Sequence, residues 1–199
     1  MAFYRQMNEQ KETPMRLSEP RVTPLPETEL TTEQQALIAP MKQRYGFVFN
    51  VLKTLMRNMK LLNAWNGFAG HIMGTSSLSP RHREMLIMRV GWLTQSEYEW
   101  GQHVLMSAPA GLTHEDHLRI KEGPKAAGWN ELEGALLQAA DELLDDTIIE
   151  DRTWEILCRH LSTEQIMDAV FTIGQYNMLA MALNTLGVQR EEGVPGFPK

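Results

Sequence analysis

The chain has 199 residues, a formal net charge of -6 and a pI near 5.5, long enough for a single domain with a full core. An acidic balance with no long basic run argues against a nucleic-acid partner, because phosphate binding needs a basic face. One cysteine, Cys158, excludes an intrachain disulfide and any Cys-based metal site, and a reducing compartment follows naturally.

In chain order, residues 1–30 carry Pro14, Pro20, Pro24 and Pro26, which prevent a long helix and predict a disordered lead or an extended arm packed on the body or on a neighbouring subunit. The scattered charges Arg5, Glu9, Lys11 and Glu12 leave no apolar stretch for a secretion signal. Thr32 followed by Gln35 predicts a capped helix to about Arg44, ended by Gly46. Asn58 caps the next, through Leu61, Leu62, Trp65, Phe68, Ala69 and Ile72. Ser79-Pro80 opens a helix whose apolar stripe contains Glu84, in line with Ile87, Met88 and Gly91. Thr94 with Glu97 has the capping-box spacing for a second helix, where Ser96, Glu99 and His103 share one stripe.

Pro109 and Gly111 break that helix, and Thr113 with Asp116 restarts a short one ending near Gly123-Pro124. From Asn130, the residues Leu132, Ala135, Leu136, Ala139 and Leu143 form an amphipathic stripe. Asp151 caps a helix through Trp154, Leu157 and Cys158, with the cysteine read as a small buried hydrophobe. Ser162 and Gln165 open a long helix to about Thr185 before Gly187, apolar around much of its circumference and therefore expected to be buried on several sides. No run approaches the roughly 18 apolar residues of a membrane span. With no alternating strand pattern, the expected fold is all-α: a single helical domain over 31–190, with a C-terminal tail over 191–199. Cytoplasmic residence, with no membrane partner, is the default expectation.

The chemistry concentrates in Glu84, Glu99 and His103, two carboxylates and an imidazole on otherwise apolar helix faces. The plain alternative is a structural or surface pair of the kind common at i, i+4. The same choice applies to the methionines: Met73, Met85, Met88, Met178 and Met181 suit either a pocket or interface lining or ordinary core filling. Arg81, His82 and Arg83 form a small basic cluster suited to carboxylate pairing or to a local anion.

The run Arg83-Glu84, then Ser96-x-Tyr98-Glu99, then His103, resembles the signature helix pair of the carboxymuconolactone decarboxylase superfamily, which includes the alkylhydroperoxidase D-like proteins. The likeness extends over roughly residues 15–190, with Leu78-Ser79-Pro80-Arg81, Tyr98-Glu99-Trp100-x-x-His103 and Gly174-Gln175-Tyr176 as its markers. The peroxidase branch has Glu, then Cys-x-x-Cys, then His. Here Glu84 and His103 match, while Ser96 and Glu99 occupy the cysteine positions. A hydroxyl and a carboxylate cannot perform thiolate attack and disulfide formation. The resemblance implies an antiparallel helical bundle of the alkylhydroperoxidase D-like type, assembled into trimers or hexamers.

Burial and a like-charged neighbour would keep one glutamate protonated while the other ionises, with His103 positioned by Glu99 from one turn away. The leading expectation is a carboxymuconolactone decarboxylase-like enzyme without a cofactor. It would perform decarboxylation, proton transfer or isomerisation on a small organic acid, lactone or carbonyl compound, as a lyase or isomerase. Glu84, Glu99 and His103 would be catalytic; Ser96, Tyr98, Trp100, Gln175 and Tyr176 would contact substrate, with Trp92 beside Trp100 as a further wall. Three other readings share these residues: an alkylhydroperoxidase-like oxidoreductase, which the missing cysteines oppose; a metal-dependent enzyme using the Glu/Glu/His cluster; and a non-catalytic oligomeric ligand-binding bundle. The leading reading assigns no metal.

Overall fold

The computed structural model describes residues 15–198, so the first 14 residues of the expected arm lie outside it. Nine α-helices follow in order among the described residues: α1 (Thr32–Tyr45), α2 (Asn50–Leu55), α3 (Met59–Gly70), α4 (Pro80–Leu93), α5 (Glu97–Ser107), α6 (His114–Glu122), α7 (Glu131–Asp146), α8 (Asp151–His160) and α9 (Thr163–Leu186). No strand occurs among them, as expected of an all-α chain.

Most boundaries follow from caps. Ser79, Asn58, Thr113, Asn130 and Ser162 each accept a backbone N–H in the first turn, and Gly187 closes α9 in the left-handed region at φ 70°. Three expectations shift. The α1 box uses Thr31 and Gln34, one residue earlier than expected. The cap residue of α8 is Glu150, without a side-chain bond, because Asp151 is already helical. Thr94 does not open α5; its hydroxyl donates to Val90 O at 2.7 Å and terminates α4 instead. Glu97 is drawn away to the C-terminal tail, where it accepts from Phe197 N at 3.4 Å. Gln95 makes the turn at φ 52°.

Helix α4 is the centre of the fold, packed by α5, α6, α7 and α9. Every residue from Glu84 to Gly91 is buried. Leu86, Ile87 and Val90 meet Leu136, Ala140, Ala169 and Ile173 in one cluster, while Met85 and Met88 meet Trp100, Leu112, Ile120 and Leu137 in another. Each such side chain contributes about 1.5–3 kcal/mol by leaving water. Met85 and Met88 are thus core, whereas Met178 and Met181 are exposed on α9. The Arg81–Arg83 cluster is spent on carboxylates: Arg81 pairs with Asp116 and Glu133, and Arg83 with Glu84.

One expectation about burial, at Cys158, and one about apolar length, at α9, are corrected. Cys158 is exposed, because α8 turns Thr153 and Leu157 inward, and the helical period then carries positions 154 and 158 to the outside. The 24 residues of α9 include an 18-residue window of mean hydropathy 1.2, apolar enough by length and composition to cross a membrane. Half of that window is buried inside the bundle, the pattern of a core helix, with Asp168 and Gln175 among its buried residues.

Residues on both flanks fasten to the bundle. Arg21 N donates to Leu186 O at 2.9 Å and Leu25 N to Lys53 O at 3.0 Å. On the other side, a Cβ on Gly101 of α5 would overlap the carbonyl oxygen of Pro195, so glycine is what lets the tail lie against the helix. Phe197 stacks edge-on to Trp92, with ring centroids 5.1 Å apart.

Between α3 and α4 the chain makes a π-helical turn, His71–Thr75, a feature frequent beside functional sites. It is anchored by Asp168 of α9, which accepts from Ser77 N at 2.5 Å, Ser77 Oγ at 2.7 Å and Ser76 Oγ at 3.1 Å, and contacts His71 Nε2 at 2.8 Å. Burial would raise the Asp168 pKa, but these donors outweigh it and hold the carboxyl at about 2. A depressed carboxylate stabilises the fold above its ordinary titration range and loses that contribution as pH falls from about 4 towards 2. Asp168→Asn should therefore cost about 1–3 kcal/mol at neutral pH, with the deficit shrinking through that acid window in calorimetric melts.

On the outer face of α9, Met167, Phe171, Met178 and Met181 form an exposed apolar stripe with Gly174 in its middle. Self-association is the expected consequence. Light scattering should give a multiple of 22.7 kDa, and Phe171→Glu with Met178→Glu should reduce it; a monomer mass for the unmodified protein at micromolar concentration would refute association.

Candidate functional site

The α4–α5 hairpin brings Glu84 and His103 together. His103 Nδ1 lies 2.7 Å from Glu84 Oε2, and Arg83 donates to Glu84 Oε1 through Nε at 3.3 Å and Nη2 at 3.2 Å. Glu84 is 1 % exposed. Burial alone would push its pKa up; the attraction of His103 and Arg83 reverses that and leaves it below the ordinary value. Glu84 is therefore the ionised carboxylate. As an acceptor it orients the imidazole by taking the Nδ1–H, which leaves Nε2 as the nitrogen turned away from Glu84. The expected positioning of His103 by Glu99 is corrected: the neighbouring helix does it, because Glu99 and His103 are parallel side chains on one helix and Glu84 approaches the ring from across the interface.

Glu99 is in the opposite state. It is 2 % exposed, and neither carboxyl oxygen has a hydrogen-bond partner among the described residues. Burial alone drives its pKa well above the usual carboxylate range, so the group is a neutral acid able to donate. Gly91 contributes by its lack of a side chain, since a Cβ there would stand 3.4 Å from Glu99 Oε1.

A cavity of about 320 Å³ opens on these groups. Its polar end is formed by Tyr98, Glu99, Gln102 and His103 of α5 with Gln175 and Tyr176 of α9. Its walls are apolar: Phe49, Leu52, Trp65, Met73, Met106 and Leu179 among others. The Tyr176 ring stands edge-on to His103, with centroids 5.1 Å apart, and its hydroxyl donates to Met73 Sδ at 3.0 Å. Gln175 Oε1 is buried without a partner.

The residues read from sequence divide into three groups. Glu99, His103, Tyr98, Gln175 and Tyr176 line the cavity; Glu84 stands behind His103. Ser96 is fully buried at the α4–α5 turn, its hydroxyl unpartnered, and is absent from the cavity wall. Trp100 is also absent, because about 100° further round the helix from Glu99 it turns into Met85, Leu112, Trp92 and Phe197. Trp92 lies there too, so neither tryptophan walls the site. Glu84, Glu99 and His103 do not form a metal-ligand cluster among the described residues.

Sequence reasoning missed three contributors. Gln102 shares the face of Tyr98 and Glu99, and the same periodicity would have found it. Trp65 was read only as a packing residue of its helix. Glu191, in the tail, gave no local signal: it accepts from Tyr98 Oη at 3.0 Å and Asn50 N at 2.5 Å, and also from Gln102 Nε2. Tyr98 is thereby fixed, its hydroxyl also accepting from Val51 N at 3.2 Å.

The two glutamates should respond oppositely to an isosteric amide. Glu84→Gln strands Arg83 and His103 and should lower Tm, at a cost of about 3–5 kcal/mol for a broken buried pair. For Glu99 the raised pKa means that its stabilising protonated form is complete below the ordinary carboxylate value and is lost as pH rises toward the raised one. Glu99→Gln should leave Tm unchanged near pH 4 and hold or raise it at pH 8. A fall of Tm in both variants would make both carboxylates structural.

Residues 60–142 match the carboxymuconolactone decarboxylase family. No match was found among curated proteins. Among solved structures, the alkylhydroperoxidase AhpD core of an uncharacterized peroxidase-related protein from Ralstonia eutropha JMP134 is similar with a TM-score of 0.78 at 19% identity, over 88% of this chain and 95% of that one. A second uncharacterized peroxidase-related protein, from Silicibacter sp. TM1040, has a TM-score of 0.74 at 23% identity, over 96% of this chain and 100% of that one. The debrominase Bmp8, in a complex with 2,3,4-tribromopyrrole, gives 0.74 at 18% identity, over 88% and 94%. At these identities the structures establish a common fold. The family match spans the α4–α5 hairpin, and the fold shared with alkylhydroperoxidase D-like structures supports the same superfamily.

Proposed function

We propose that this chain is an acid/base enzyme without a cofactor, of the lyase or isomerase kind, that moves a proton at a carbon next to a carbonyl group. One observation carries the reading: a neutral, unpartnered carboxylic acid, Glu99, and an imidazole held by an ionised carboxylate, His103, line the same apolar cavity. Two titratable groups pushed into opposite roles by their surroundings are what general acid and general base need. His103 Nε2 takes the α-proton, the electron pair of the C–H bond moves into the carbonyl group, and the Glu99 O–H protonates the carbonyl oxygen to give an enol. Returning a proton to a different carbon completes an isomerisation; an enol is also the product of a decarboxylation.

Peroxide reduction by a dithiol route has no support in this chain. Its one thiol, Cys158, is exposed on α8 and lies outside the cavity wall, and Ser96 and Glu99 cannot form a disulfide. That a similar fold is described as a debrominase is a reason to test halogenated aromatics, not an assignment.

Deuterium uptake tests the reading without a known substrate. Incubated in D₂O with acetophenone, cyclohexanone and γ-butyrolactone, the protein should accelerate loss of the α-proton NMR signal of at least one of them. His103→Gln and Glu99→Gln should each lower that rate by about 10²–10⁴-fold, the usual scale of general acid/base contributions. Exchange that persists undiminished in both variants would sink the proposal, as would the absence of any protein-dependent exchange.

A further inference from the structure

We infer that the cavity selects an uncharged carbonyl compound with an apolar body and rejects the carboxylate of the same skeleton, because its polar end is bordered by two carboxylates and offers neutral hydrogen-bonding groups. The inference rests on the acid/base reading of Glu99 and narrows its substrate class from small acids, lactones and carbonyl compounds to the neutral ones.

The negative groups are Glu84 behind His103 and Glu191 behind Tyr98 and Gln102. Glu84 is balanced by Arg83 on its far oxygen. Glu191 is held by donors from the Tyr98 hydroxyl, the Asn50 amide and the Gln102 side chain, all of them uncharged. Glu191, held by uncharged donors alone, biases the potential of the cavity against an anion, and each carboxylate helps to raise a lining phenol: burial, then Glu191, lifts the Tyr98 pKa, and burial, then Glu84, lifts that of Tyr176. No Lys or Arg lines the cavity among the described residues. A carboxylate moved there would lose its hydration without gaining an ammonium or guanidinium partner, which is costly in an apolar enclosure.

A cation fares no better. Both carboxylates already accept from donors of their own, and the one carboxyl group on the wall is Glu99, which an ammonium could engage fully only by ionising it against its burial. A carbonyl oxygen fits instead: it accepts from the protonated Glu99, which has no other partner. The apolar body then lies against Trp65, Phe49, Met73 and Leu179. A cavity of about 320 Å³ is at the small end of the range that encloses compact organic molecules.

The test is isothermal calorimetry at pH 7.5 with three matched sets: acetophenone, benzoate and benzylamine; cyclohexanone, cyclohexanecarboxylate and cyclohexylamine; 1-indanone, indane-1-carboxylate and 1-aminoindane. At least one ketone should bind, and its carboxylate and amine partners should bind at least about tenfold more weakly, a difference of about 1.4 kcal/mol. Leu179→Trp, which fills the cavity, should abolish ketone binding. If circular dichroism shows that variant to be unfolded, Trp65→Ala should weaken binding instead. Equal or tighter binding of a carboxylate or an amine, no binding by any of the three ketones, or ketone binding indifferent to the cavity variants would each overturn the inference. The two proposals fail separately: a ketone bound selectively without α-proton exchange removes the acid/base reading alone, whereas exchange with a preferred carboxylate removes the neutral-substrate inference alone.

Discussion

A buried negative charge on the central helix sets the terms for the rest of this fold. Glu84 sits where α4 is enclosed by other helices, so its ionised form exists only if partners compensate for the lost hydration. Arg83 supplies a fixed cation from the adjacent position and His103 a hydrogen bond from α5. That second bond is long-range, 19 residues apart in sequence, and ties the hairpin together at one rotational setting. Once His103 is fixed against Glu84, the helical period places Glu99 one turn earlier on the same face. With Tyr98 and Gln102 flanking it, the polar end of the cavity follows from a single cross-helix contact.

The neutral state of Glu99 depends on what surrounds it having nothing to offer. A donor aimed at either oxygen would lower its pKa and favour the anion. Gly91 presents only backbone on that side, and Tyr98 and Gln102 are committed to Glu191. The C-terminal tail therefore acts on the site from behind: by engaging two donors of the cavity lining it keeps them away from Glu99. Glycine at 101 admits the tail, and Phe197 secures it in the Trp92–Trp100 aromatic cluster.

Local pattern was enough to read much of this. Ser79, Thr113, Asn130 and Ser162 announce their helices because a cap is a short-range bond, written within three or four residues. Glu84, Glu99 and His103 stand out because charges on apolar stripes are conspicuous. Where the reading failed, a competing tertiary contact decided. The apparent Thr94–Glu97 box lost its glutamate to the tail. Trp100 and Cys158 were placed by helix membership, while rotation about the axis sent them elsewhere. Glu191 and the π-turn were not readable, since nothing near them in sequence indicates Tyr98 or Asp168 as partners.

Ser96, the cap of α5, and Glu99, one turn on, meet different conditions. Position 99 lies on the cavity wall and position 96 in the fully buried turn behind it. A residue at the first must therefore work in contact with whatever the cavity holds, and a residue at the second must tolerate complete burial. Glutamate at 99 meets its condition by remaining protonated, and serine at 96 meets its own by being small. On the proposed acid/base reading, Glu99 is the proton donor facing the cavity. On that reading the acceptor is the His103 imidazole held by Glu84, one turn further along the same face of α5.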